Sequence, residues 1–289
     1  MVDGRRMRPL NEHPYRGGPV VYWMNRDRRA GDNWALLAAQ ELAHQHKAPL
    51  GVVFVFSQKT PILWRELSFM VEGLRETELA LRKKHIPFFL LEAGNRPDRI
   101  LSFFRKHRVH ACVTDFSPLR EERVDVERLA KKVSFPVYEV DAHNIVPCWL
   151  ASDHRESGLR TFRPKMEKFL PEFLSKIPRA QNQKISWQSA VSPADWKTFD
   201  QRLRVDRSVK PTDRIRSGES AALSSLRLCL NGRESEYASL LPYVRHGQLS
   251  AQRVAIETKT SGMLMAKRKK KFEAIVVREA LVDNISFYD

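Results

Sequence analysis

Residues Val20 to Leu37 read VVYWMNRDRRAGDNWALL, and the fold follows from how this stretch is parsed. Val20, Val21, Tyr22 and Trp23 form a β-branched and aromatic run short enough for a core strand. Asp32 then precedes a helical pattern from Asn33 to Ala39, where its carboxylate is placed to cap the unpaired amides of the first turn. Between strand and helix, Asn25 to Gly31 is a charged loop at the carboxyl end of a first strand, the place where open α/β sheets hold ligands. A pyrophosphate cradle needs several glycines and only Gly31 is available, which excludes a dinucleotide fingerprint. Asp27 and Arg29 keep two readings. They pair with each other and with Asp32 to stiffen the loop, the commoner use of loop charges, or they touch a ligand.

Outward from this stretch, apolar runs alternate with helical patterns. Leu50 to Phe56, Phe88 to Leu91, Ala111 to Thr114 and Pro136 to Val140 read as further strands. Leu63 to Lys84, Asn95 to His107 and Arg120 to Lys132 read as the helices between them. Crossovers of that length return the chain in the same direction, so the spacing predicts an α/β fold with a doubly wound five-stranded parallel sheet. Residues 1–18 read as a basic disordered lead, 19–145 as the α/β domain and 146–200 as a linker. At the junction with that linker Ile145 to Gly158 is expected to be loop, and Pro164 to Leu174 a short helix interrupted by Pro171. Residues 201–289 read as helical, with helices at Glu219 to Leu230, Ser250 to Lys259 and Phe272 to Asn284.

A chain of 289 residues can bury two cores. Its formal charge of +16 and pI near 10.0 favour an anionic partner, nucleic acid before a membrane surface. No run is long enough to span a bilayer, and the basic amino terminus lacks an apolar signal core. Cys112, Cys148 and Cys229 are too scattered for a metal site and suit buried thiols in a reducing compartment. A soluble cytoplasmic protein without a metal is expected. His143 reads as an interdomain histidine, and the six tryptophans as packing residues.

Other stretches carry a family likeness. VTDFSPLR at Val113 to Arg120, VDAHNIVPCW at Val140 to Trp149 and TFRPK at Thr161 to Lys165 join Asp27, Arg29, Asp32 and Asn33 in a pattern that resembles the photolyase and cryptochrome family. The likeness is to the class II cyclobutane pyrimidine dimer photolyases in particular. It continues through LLPYVRHGQLSAQR, Leu240 to Arg253, and FEAIVVREALVDNISFY, Phe272 to Tyr288. The resemblance implies a Rossmann-like amino-terminal domain followed by an all-helical FAD-binding domain, of which this chain carries the first part. It implies deoxyribodipyrimidine photolyase activity: light-driven electron transfer from reduced FAD splits a pyrimidine dimer flipped out of DNA. DNA containing pyrimidine dimers would be the partner, held through its phosphates. An antenna chromophore is a family option that the sequence does not identify, and a second polypeptide completing the helical domain is another. Two further classes stay open: a non-catalytic photolyase-like module that binds DNA or a partner, and an unrelated nucleotide-binding α/β domain.

By the same resemblance, Ser239, Leu240, Gln248 and Arg253 fall at the flavin loop, and Glu273, Arg278, Lys267, Arg268 and Lys269 at the substrate and DNA surface. No residue is assigned a catalytic role. The segment Leu230 to Tyr237 is shorter than the family's phosphate-contacting stretch, and Leu241 stands where the family has a hydroxyl. The family's substrate-binding glutamate aligns with Ala274. Its neighbour Glu273 is turned by about 100 degrees along a helix. These departures imply weak FAD retention by this chain alone. Arg278 is equally readable as a helix charge paired with Glu279 or Asp283, and Lys267 to Lys271 as a solvated run.

Overall fold

The computed structural model describes residues 1–58, 62–189, 191–213, 215–231, 237–260 and 276–288. The strands are β1 (Met7–Pro9), β2 (Val20–Met24), β3 (Leu50–Ser57), β4 (Ile62–Leu63), β5 (Phe88–Ala93), β6 (Ala111–Asp115), β7 (Val137–Val140) and β8 (Val205–Asp206). Six of them form one sheet in the order β1-β7-β6-β2-β3-β5, and β4 with β8 forms a separate two-stranded ribbon. The α/β helices are α1 (Trp34–Gln45), α2 (Trp64–Arg82), α3 (Arg96–His107) and α4 (Arg120–Lys132). Beyond β7 come α5 (Cys148–Ala151), α6 (Leu159–Phe173), α7 (Trp196–Phe199), α8 (Glu219–Leu230), α9 (Leu241–Arg245), α10 (Ala251–Thr260) and α11 (Arg278–Tyr288).

β2 is buried at all five positions because both of its faces are covered. Val20, Tyr22 and Met24 pack with Trp34 and Leu36 of α1 and with Leu67 and Leu74 of α2. Val21 and Trp23 pack with Ile100, Phe103 and Phe104 of α3 and with Leu129 of α4. β2 pairs in parallel with β3 and β6, β3 with β5, and β6 with β7. These are the five parallel strands expected from the spacing. The strand order reverses beside β2, so the carboxyl ends of β2, β6 and β7 converge on the loop at residues 25–33.

The sheet has a sixth strand that the sequence does not announce. β1 lies antiparallel to β7, with Met7 opposite Val140 and Arg8 opposite Glu139, so the first 18 residues are not a disordered lead. Arg6 explains why. Its side chain is buried, donating to the backbone carbonyls of Asp141 (3.1 Å), Asn144 (2.9 Å) and Ile145, and it stacks 5.0 Å from the rings of Trp34 and Phe173. Burial lowers its pKa to about 10 against the opposing pull of Asp141. A lone arginine in a basic stretch reads as solvated until the carbonyls it serves, more than 130 residues later in the chain, are seen.

Three local expectations shift. The cap of α1 is Asn33, whose side chain accepts from the Leu36 amide at 3.0 Å; Asp32 instead adopts a left-handed φ of 47° and turns its carboxylate elsewhere. Pro171 does not interrupt α6, which runs through both Pro164 and Pro171. Pro171 sits in the last turn, where it removes one helical hydrogen bond near an end that frays anyway. Cys148–Ala151 makes one helical turn inside the segment read as loop. The linker is no free tether either: Ile177, Ala180 and Phe199 are buried in the core on the α1 and α2 side of the sheet.

Candidate functional site

The loop after β2 is held from below by a single carboxylate. Asp115, at the end of β6, accepts from the backbone amides of Asn25 (2.9 Å), Arg26 and Asp27 (2.8 Å). Burial and the charge of Asp27 push the Asp115 pKa up in spite of these three bonds. The loop therefore has a fixed shape, and the side chains of Arg26 and Asp32 reach the helical segments that follow β7.

Arg26, Asp27, Arg29 and Asp32 each meet a partner far along the chain, while Arg28 bonds the Asn25 carbonyl within the loop. Arg26 makes a two-pronged pair with Asp283 of α11, at 2.6 and 2.9 Å, and Asp283 also accepts from Asn144 at 2.9 Å. Arg29 pairs with Asp27 at 2.5 Å, both side chains almost wholly out of water. Arg29 also donates to the carbonyls of Gly247 (3.0 Å), Ala142 (3.1 Å) and Asp32 (3.1 Å). His143 stands 3.4 Å from Asp27 through Nδ1. Burial opposes the charge on Asp27, yet Arg29 and then His143 hold its pKa well below the usual carboxylate range. Asp32 receives both prongs of Arg253, at 2.7 and 2.6 Å. Glu219 accepts from the amides of Ala30 (3.2 Å) and Gly31 (3.0 Å), so the one glycine of the loop is closed by a carboxylate from α8.

This arrangement is a docking platform. The stiffening role foreseen for Asp27 and Arg29 is the one their contacts serve, except that Asp32 gives its side chain to Arg253. His143, expected as a satisfied interdomain histidine, instead bonds within the α/β part, to Asp27 and through its amide to Asp141, and its buried Nε2 has no partner among the described residues. Sequence reasoning missed Arg26, Asn144, Glu219 and Arg6 as members. No local signal marks them, because their partners lie 135 to 257 residues away.

The four residues aligned with the flavin loop are placed as follows. Gln248 is 1% exposed and accepts from the Gly218 amide at 2.7 Å while donating to the Phe69 carbonyl at 2.9 Å. Arg253 is committed to Asp32 and, at 3.1 Å, to Glu257. Leu240 is buried, and the Ser239 hydroxyl lies 3.7 Å from the Cys229 sulfur. These four do not fit a flavin pyrophosphate as a set, since the two with strong donors spend them on the protein. Arg278 is exposed on α11, and the carboxylates proposed to neutralise it are taken, Glu279 by Arg245 at 3.6 Å and Asp283 by Arg26. Lys267, Arg268, Lys269 and Glu273 lie outside the described residues. Among the described residues no group of His, Cys, Asp and Glu could hold a metal ion, and no helix is long and apolar enough to cross a membrane.

One histidine at this junction gives a pH test. His246, just after α9, packs 5.1 Å from Phe69, and its buried Nδ1 has no partner among the described residues. Burial, then the charge of Arg28, lowers its pKa to about 4. An unfolded histidine takes its proton near pH 6.5, so the unfolded state gains protons that the folded state refuses. The wild-type chain should lose stability through this group as pH falls from about 6.5 to about 4. In urea melts across that window the wild-type midpoint should fall relative to that of His246→Phe. Parallel pH profiles would refute the assignment.

Comparison with known proteins agrees with this architecture. The DNA photolyase family model matches residues 20–183. The deoxyribodipyrimidine photo-lyase of Arabidopsis thaliana is 36% identical over 295 residues, covering 94% of this chain and 59% of the relative. That of Potorous tridactylus is 36% identical over 285 residues, covering 93% and 53%. That of Methanothermobacter thermautotrophicus is 28% identical over 303 residues, covering 100% and 66%. The chain thus spans 53 to 59% of the length of the first two. A crystal structure of a bacterial class III photolyase from Agrobacterium tumefaciens superposes with a TM-score of 0.69 at 16% identity, over 94% of this chain and 60% of that one, a likeness of fold. With more than half of its residues inside the family match and its sheet and helices in the family's arrangement, the chain belongs to the DNA photolyase family.

Proposed function

We propose that this chain serves deoxyribodipyrimidine photolyase chemistry of the class II type, in which light drives an electron from reduced FAD into a cyclobutane pyrimidine dimer in DNA and splits it. The likeness to relatives of that name along 94% of the chain carries the reading. In this assignment residues 19–145 form the Rossmann-like domain, 146–200 the linker and 201–289 the helical part that meets flavin and DNA. The buried lattice around Asp27, Arg29 and Asp283 sets the helical part on the sheet. Gln248 and Arg253 then position the flavin loop from behind, while Ser239 and Leu240 lie closer to the cofactor. Arg278 contacts DNA phosphate, with Lys267, Arg268, Lys269 and Glu273 assigned to the same surface. The three cysteines are buried and joined in no disulfide, which suits a reducing cytoplasm.

The test is a gel-shift comparison of dimer-containing and undamaged duplex DNA, followed by dimer counting after blue light with FAD added. We expect preference for the damaged duplex, reduced by Arg278→Ala, and flavin below one per chain after gel filtration. Equal affinity for both duplexes, with no light-dependent loss of dimers, would overturn the proposal. Preference for damaged DNA without repair would favour the second reading, a non-catalytic damage-binding module, which the internal commitment of Gln248 and Arg253 supports.

A further inference from the structure

The edge of the sheet far from the docking platform carries a second cleft. It opens between β5, α3 and the linker near Ser189 and Ser192, and encloses about 360 Å³. Its floor is aromatic. Phe89 of β5 meets Phe103 with ring centres 4.8 Å apart and His107 at 5.2 Å, and Trp187 backs them at 5.5 and 5.8 Å. Trp187 is itself seated over Gly51, where an added Cβ would meet its ring at 3.0 Å. The floor is thus built into the fold and not a loose flap.

The rim is basic. Arg99, Ser102 and Lys106 follow one face of α3 at helical spacing together with Phe103. Arg99 and Lys106 stand two turns apart, about 10 Å along the axis, and bracket the rings. No carboxylate lines the cleft, and neither cation has an ion pair among the described residues. His107, its pKa lowered by burial and by Lys106, adds an aromatic wall without charge. The cleft of about 530 Å³ beside Arg253 is different: Asp32, Glu76, Glu219 and Glu257 line it, and Asp32 and Glu257 hold Arg253.

Stacking surface below and unpaired positive charge above define a complementary ligand. We propose that this cleft binds a small planar aromatic anion, its ring on the half-buried Phe89, which Phe103 supports edge-on from the core, and its acidic group held by Arg99 or Lys106. The volume lies near the lower end of the range for small-molecule sites. It suits one fused ring system bearing one acid, as in a purine mononucleotide or an aromatic carboxylate, and is too small for a dinucleotide. The assignment does not depend on the photolyase reading, since none of these residues belongs to the platform or to the DNA surface.

Titration calorimetry on the full chain tests it, with AMP, 2-naphthoate, adenosine and inorganic phosphate as probes. A mononucleotide site gives AMP tighter than naphthoate, an aromatic-acid site the reverse, and either order supports the proposal. Adenosine, which lacks the charge, and phosphate, which lacks the ring, should each bind at least about tenfold more weakly. The double variant Arg99→Ala/Lys106→Ala, altered only at exposed helix positions, should fold normally and lose about tenfold or more in affinity for the anions. Three results would each overturn the proposal: no binding by either anion, affinities unchanged in the double variant, or a single-stranded oligonucleotide displacing AMP with higher affinity. The last would assign the cleft to nucleic acid.

Discussion

Replacing Arg29 by methionine should destabilise the folded chain by about 3–5 kcal/mol. The side chain is 1% exposed and the Asp27 carboxylate it serves is wholly buried, so the variant leaves an ionised group in the interior without its main counter-charge. Three carbonyls, of Gly247, Ala142 and Asp32, lose their donor at the same time. The midpoint of thermal unfolding should fall by roughly 10 °C. Adding Asp27→Asn should recover part of the loss, because the double variant no longer buries an unpaired charge and the two sites couple. A cost under about 1 kcal/mol for Arg29→Met would mean that the junction is open to water and that the platform does not hold the helical part.

Gly247→Ala is the second large expectation, of about 2–4 kcal/mol. Gly247 has a φ of 69°, a conformation that costs an L-residue about 1 kcal/mol or more. Space is the heavier objection. A Cβ there would collide with the Arg26 carbonyl and stand 2.7 Å from the Arg28 amide, both backbone atoms of the platform loop. Relief requires the α9 region to back away, which also breaks the bond from Arg29 to the Gly247 carbonyl. Urea unfolding gives the cost, and hydrogen exchange should show faster opening at Asn25 to Arg28. Asn tolerates the left-handed backbone but carries the same Cβ, so Gly247→Asn should be about as damaging. An asparagine variant as stable as wild type would show that backbone strain, and not close approach, sets the requirement for glycine.

What the sequence disclosed and what it hid divide along the distance between partners. The five parallel strands were legible because β-branched and aromatic runs recur between amphipathic helices, and each run is self-contained. The pairing of Asp27 with Arg29 was legible for the same reason. Short range failed at Pro171 and at the Cys148–Ala151 turn, and for the α1 cap, where Asp32 and Asn33 are both good candidates and Asp32 is taken by Arg253, 221 residues later. β1 stayed hidden because three residues flanked by arginines have no periodicity to read, and its strand exists only against β7. The flavin loop shows the other limit. Resemblance selected Gln248 and Arg253 for the flavin loop, but in the structure Gln248 accepts from Gly218 and donates to Phe69 while Arg253 donates to Asp32, roles that an alignment cannot separate from cofactor contact.

The burial of Arg6 bears on how the chain is made. Its three carbonyl acceptors at Asp141, Asn144 and Ile145 leave the ribosome about 140 residues after it, and Gln252, which accepts from both Arg6 and the Trp34 indole, comes 246 residues after. At ordinary synthesis speeds the first wait is roughly 7–28 seconds and the second roughly 12–50. Through that interval the Arg6 segment has no berth, although it is translated before the strand it pairs with. The outermost strand of the sheet is therefore the last to set during biosynthesis, and a chaperone that recognises a waiting basic, aromatic-flanked segment would find its substrate there.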